Sequence, residues 1–140
     1  EHTAMTEAAI RDRVGEVLAL VGMAGTEEKY PVELSGGMRK RVGLARAVAA
    51  TPRIVLYDEP TTGLDPRNVD KINELITDLQ EKLRVASVVV THDLHSAFRI
   101  SDRVALLSEG RIATTGSPME IGKSEDPIVQ EFLAGHIGEV

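Results

Sequence analysis

"RIVLYDEPTTGLDP" (residues 53–66) is the stretch from which the rest of the chain can be read. Ile54, Val55, Leu56 and Tyr57 form a short apolar run that ends in two acids, Asp58 and Glu59, and Pro60 stops it from continuing. Such a run predicts a strand over 53–57, buried on both faces, with charge gathered at its C-terminal end. Asp65 and Pro66 are a cap followed by a first-turn proline, so a helix starts there. It is expected to run to about Leu83, with Val69, Ile72, Leu75, Ile76 and Leu79 inward. "VASVVVT" (85–91) predicts a second buried strand, ending at His92. Strand, helix and strand in this order indicate an α/β fold with a parallel sheet. Ligands of such sheets sit at strand C-termini, where Asp58, Glu59 and His92 all fall.

Upstream, "EAAIRDRVGEVLALV" (7–21) places Ile10, Val14, Val17, Leu18 and Val21 on one helical face, capped by Thr6 and closed by Gly22. A loop with a short helical turn follows. In "ELSGGMRKRV" (33–42), Ser35 is a good N-cap, and Gly36 and Gly37 leave the first amides uncovered. The helix that follows is expected to bury Met38, Val42, Ala45 and Ala49, and to carry Arg39, Lys40, Arg41 and Arg46 as a solvated basic face. Downstream, a short helix over 94–100 leads to "RVALL", a turn at Glu109-Gly110 and "RIATT", which read as a hairpin. The tail from Ser117 reads as helical pieces.

The 140 residues suffice for a sizeable core. A net charge of −6 argues against a duplex-binding surface, and 3% aromatics with no Trp argue against a base-stacking platform; no nucleic-acid partner is expected. The absence of cysteine excludes disulfides and thiolate metal sites. No apolar run is long enough to span a bilayer as a helix.

Adjacent carboxylates at a strand end point in different directions. One can hold a hard cation through water while the other faces a reacting group, which suits Mg²⁺ bound by few carboxylates together with substrate phosphates. Taken singly, each feature has a plainer reading: the paired glycines as a turn, the acids as a strand end in water, His92 as a cap. Their order in one chain favours the chemical reading.

"LSGGM", "RIVLYDE", "TGLD" and "THD" (residues 90–93 being "VTHD") resemble the signature, Walker B, D-loop and histidine-switch motifs of the ABC-transporter ATPases. The likeness covers nearly the whole chain. Met38, where many members have Gln, the opening "EHT" and the tail "FLAGHIGEV" resemble the MCE-linked (Mla-type) ATPases, which serve transport of phospholipid and other hydrophobic compounds. The fold implied is a partial P-loop NTPase (RecA-like) parallel sheet with an ABC helical subdomain. Residues 1–52 would be the helical subdomain with the signature helix, 53–116 the partial core, and 117–140 a helical tail.

The resemblance implies ATP and Mg²⁺ as cofactors, with Asp58 on the metal, Glu59 as general base and His92 on the γ-phosphate. Ser35, Gly36, Gly37 and Met38 would meet a nucleotide held mainly by a second ATPase subunit of a homodimer, and Asp65 would couple the two halves. It further implies transmembrane permease subunits, a periplasmic or MCE-type substrate-binding protein, and a cytoplasmic place at the inner face of a bacterial inner membrane. No G-x-x-x-x-G-K-[ST] is present, so the Walker A strand and loop are lacking. The chain therefore reads as the C-terminal part of an ATPase, inactive alone, that pairs or swaps elements to cover its open sheet. Two other readings are a lobe of a chromosome-maintenance or DNA-repair ATPase, which calls for sustained heptads, and a non-hydrolysing regulatory module.

Overall fold

A computed structural model describes residues 5–135; the opening "EHT" and the last five residues of "FLAGHIGEV" lie outside the described residues. The chain divides after Val90 into two compact units.

The first unit holds α1 (Glu7–Leu20), a 3-10 turn (Pro31–Glu33), α2 (Gly36–Val48), β1 (Ile54–Asp58), α3 (Pro66–Leu83) and β2 (Ala86–Val90). Thr6, Ser35 and Asp65 cap their helices as expected, each accepting from a backbone amide three residues on. β1 and β2 pair in parallel, Ile54 opposite Ala86 through Asp58 opposite Val90. α3 makes the crossover between them. Of the five positions expected inward, Ile72, Leu75, Ile76 and Leu79 are buried and Val69 is half-buried; Asn73, not expected there, is buried with them. α1 packs on α2 and α2 on α3. Arg13 ties the first pair: its guanidinium donates to the carbonyls of Ala49 (2.9 Å) and Val48 (3.1 Å), at the end of α2. A cation there also suits the helix dipole.

Three expectations are corrected. The strands are not buried on both faces. Val55 and Tyr57 are buried, but Ile54, Leu56, Val88 and Val90 are 52–74% exposed, because no described residue covers that side of the sheet. On α1, Ile10 and Val14 are exposed, and only the C-terminal half (Val17, Leu18) reaches the core, with Val21 just beyond. On α2 the buried residues are Leu44, Ala45 and Val48, while Met38, Val42 and Ala49 are half-buried. The stripe is thus rotated toward the 44/48 positions.

The second unit contains α4 (Leu94–Ile100), the antiparallel hairpin β3 (Val104–Ser108) and β4 (Arg111–Gly116), α5 (Pro118–Gly122) and α6 (Pro127–Ala134). The turn at Glu109 and Gly110 has positive φ at both residues (48° and 74°), the geometry a tight hairpin needs. Leu106, Ile121 and Val129 are its buried centre, with Phe98, Val104, Phe132 and Leu133 packed around them. Among the described residues, no helix is long and apolar enough to cross a membrane.

Candidate functional site

Asp58 is the last residue of β1 and is exposed, on the same face as Leu56. Glu59 follows in a left-handed conformation, φ 46°, rare for a side chain with a Cβ. This turns Glu59 off the strand. Three groups hold it there. Its amide donates to the Val90 carbonyl (2.9 Å), Lys40 Nζ donates to its carbonyl (3.1 Å), and the Thr62 hydroxyl donates to Oε2 (2.9 Å).

Ser35 sits before α2 and its Oγ accepts from the Met38 amide (3.2 Å). The amides of Gly36 and Gly37, the first two of the helix, have no intrahelical acceptor. A Cβ built on Gly36 would meet nothing within 4 Å, and one on Gly37 only Asn68 Cγ at 4.0 Å. Nothing in the chain's own packing therefore demands glycine at either position. Asn68 also donates to Asp65, through its amide (3.2 Å to Oδ1) and its side chain (2.5 Å to Oδ2). The Asn68 side chain, more than any other cause, holds the Asp65 carboxyl below the usual carboxylate range. The starts of α2 and α3 are thus neighbours.

Gly36, Arg39, Lys40 and Asp58 line an open cleft of about 570 Å³ in the first unit, along with Tyr57 and Thr62. The signature-like turn and the carboxylate at the end of β1 therefore open onto the same space. His92 lies two residues beyond β2, exposed, and belongs to the second unit. Among the described residues, no group of three or more His, Cys, Asp or Glu could hold a metal by itself. One exposed carboxylate fits a cation that keeps most of its water and takes further oxygens from phosphate.

The basic face of α2 is the largest departure from expectation. Arg39 Nη1 donates to the Leu34 carbonyl (2.6 Å), Lys40 to Glu59, and Arg41 Nη1 to the Val21 carbonyl (2.9 Å). Of the four cations Lys40 and Arg41 are half-buried, and Arg39 and Arg46 are exposed. Sequence patterning missed this because the acceptors are backbone carbonyls, which every residue has.

A family model described as "ABC transporter" matches residues 1–62. The methionine import ATP-binding protein MetN of Erwinia pyrifoliae is 43% identical over 129 residues, which is 91% of this chain and 40% of that protein. The chain belongs to the ABC transporter ATP-binding family. Another relative is the probable ribonucleotide transport ATP-binding protein mkl of Mycobacterium bovis, 42% identical over 135 residues, 96% of this chain and 38% of that protein. A solved relative of this ABC domain is the ATP-binding cassette MJ0796, a dimer in a post-hydrolysis state bound to ADP and Pi. It is 34% identical, with a TM-score of 0.71 over 84% of this chain and 51% of that one. The fold expected from the motifs, a P-loop NTPase-type α/β domain, is thereby shown. The chain spans about two fifths of the length of the curated relatives it matches.

Proposed function

We propose that these residues form the carboxyl-terminal share of the ATP-hydrolysing site of an ABC importer or lipid-transport ATPase, with the phosphate-gripping loop contributed by sequence outside these 140 residues. The observation that carries this reading is the pair Asp58 and Glu59 at the end of a parallel strand, the second held in a left-handed turn by three hydrogen bonds. Asp58 is the residue to hold Mg²⁺ through water, and bound Mg²⁺ would neutralise phosphate charge. Glu59 takes the proton of the attacking water, a task that requires a carboxylate fixed within hydrogen-bond reach. His92 contacts the γ-phosphate. Ser35, Gly36, Gly37 and Met38 present a helix N-terminus, with the Gly36 and Gly37 amides free, to a nucleotide held by a second subunit, which is why glycine stands where packing does not ask for it. Asp65, tied to Asn68 beside Gly37, links that element to the strand end across a homodimer.

The functional division assigns 1–52 to the helical subdomain, 53–116 to the core and 117–140 to a tail element. The uncovered apolar face of Ile54, Leu56, Val88 and Val90 supports a missing layer of the core, since apolar patches in such sheets are covered. Covering it calls for further sequence or for pairing between copies. The partners are permease subunits in a bacterial inner membrane and an MCE-type or periplasmic binding protein. The cargo is phospholipid or another hydrophobic compound. Met38 and the tail "FLAGHIGEV" support that cargo class, while relatives named for methionine and ribonucleotide set the competing ones.

The test is MgATP turnover by the longer ATPase, with and without Glu59→Gln. The account expects turnover to fall by about 10²–10⁴. Unchanged turnover would refute the role of Glu59. Stimulation of the assembled transporter by phospholipid vesicles, and not by methionine, decides the cargo.

A further inference from the structure

We propose that Lys40 is a positioning residue for Glu59: its ammonium, carried on the helix that starts at Ser35, holds the Glu59 carbonyl and with it the left-handed turn that directs the carboxylate. A non-glycine residue such as Glu59, at φ 46°, persists only when its surroundings over-determine it. The Val90 carbonyl fixes its amide from the neighbouring strand, and Thr62 fixes its carboxylate from the same loop. Pro60 follows and is buried, so the loop cannot pay out slack on that side. The carbonyl is held from a different element, 19 residues away in sequence.

Lysine is an expensive choice for a purely structural contact, because fixing its long side chain costs rotamer entropy. Neighbouring Arg39 and Arg41 serve the packing of α2 itself, reaching Leu34 and Val21. Lys40 alone of the three reaches the loop after β1. A shift of α2 therefore displaces the Glu59 carbonyl, and the start of α2 is the turn proposed to meet nucleotide. Lys40 thus links occupancy at Ser35-Gly36-Gly37 to the posture of the base. This inference rests on Glu59 being that base.

The experiment compares Lys40→Met and Lys40→Arg. In the 140-residue chain, the Glu59 amide, Cα and Cβ chemical shifts report its backbone conformation. Lys40→Met is expected to move them away from left-handed values while shifts of α1 and α3 stay in place, and Lys40→Arg to restore them. Unmoved Glu59 shifts in Lys40→Met would overturn the proposal, as would failure of Lys40→Arg to restore them. In the longer ATPase, Lys40→Met is expected to lower kcat about tenfold to a hundredfold, the scale of a misplaced reacting group, with KM for MgATP within about twofold. An unchanged kcat would overturn the coupling. Undiminished turnover in Glu59→Gln would sink the base assignment instead, leaving the Lys40–Glu59 link to be decided by the shifts.

Discussion

Replacing Glu59 by glycine and by alanine separates backbone strain from every other contribution of that residue. Both variants lose the carboxylate and its bond from Thr62, and both keep the amide bond to Val90 and the carbonyl bond from Lys40. They differ in the Cβ. At φ 46° a Cβ crowds the following carbonyl and costs about 1–2 kcal/mol, which glycine escapes. Glycine also makes the unfolded chain more flexible, which gives back about 0.4–1 kcal/mol. The net expectation is that Glu59→Gly is more stable than Glu59→Ala by about 0.5–1 kcal/mol. That order is the reverse of what glycine does inside ordinary helices and strands. Urea denaturation followed by circular dichroism reads the difference as a shift in midpoint at constant slope. If alanine equals or exceeds glycine, the left-handed turn is either absent in solution or free of strain, and the argument for Lys40 loses its premise.

Other expectations follow from single contacts. Gly22→Ala places a Cβ at φ 68°, 3.1 Å from Arg41 Nη1, and is expected to cost about 1–2 kcal/mol in thermal denaturation. Arg13→Met removes two bonds to the end of α2 and is expected to cost about 1–2 kcal/mol, with protection of the α2 amides from hydrogen exchange falling first. The Asp65 carboxyl has a lowered native pKa, so its contribution is fully present above the unfolded carboxylate value and fades as pH falls through the native one. The Tm deficit of Asp65→Ala is therefore expected to shrink on acidification; a deficit independent of pH would contradict this.

Local chemistry was the legible part of this sequence. Asp65-Pro66, Ser35 and Thr6 announced their helices, and Glu109-Gly110 its hairpin, because caps and turns depend on residues close in sequence. The strands at 54–58 and 86–90 were legible as strands, but their burial was not. An apolar run reports what a residue's environment is suited to, and Ile54, Leu56, Val88 and Val90 face a side that these residues leave bare. The work of Arg39, Lys40 and Arg41 was hidden for another reason: a basic helix face looks solvated unless the carbonyls it meets can be located in space. The conformation of Glu59 was equally invisible, since nothing in "YDEP" encodes a positive φ that distant groups impose. The carboxylate pair itself was visible from the outset. Its placement at the end of a parallel strand, opening on the cleft that Gly36 also lines, is what the structure adds.

The central claim is that these residues supply one share of an ATP-hydrolysing site and that the phosphate loop must come from elsewhere. Phosphate release from MgATP, measured on the 140-residue chain alone and on the same chain joined to a phosphate-loop segment, tests it most directly. The account predicts no turnover from the chain alone, and turnover in the joined protein that Glu59→Gln abolishes. Turnover by the chain alone, lost on Glu59→Gln, would show that a complete site forms from these residues and would contradict it.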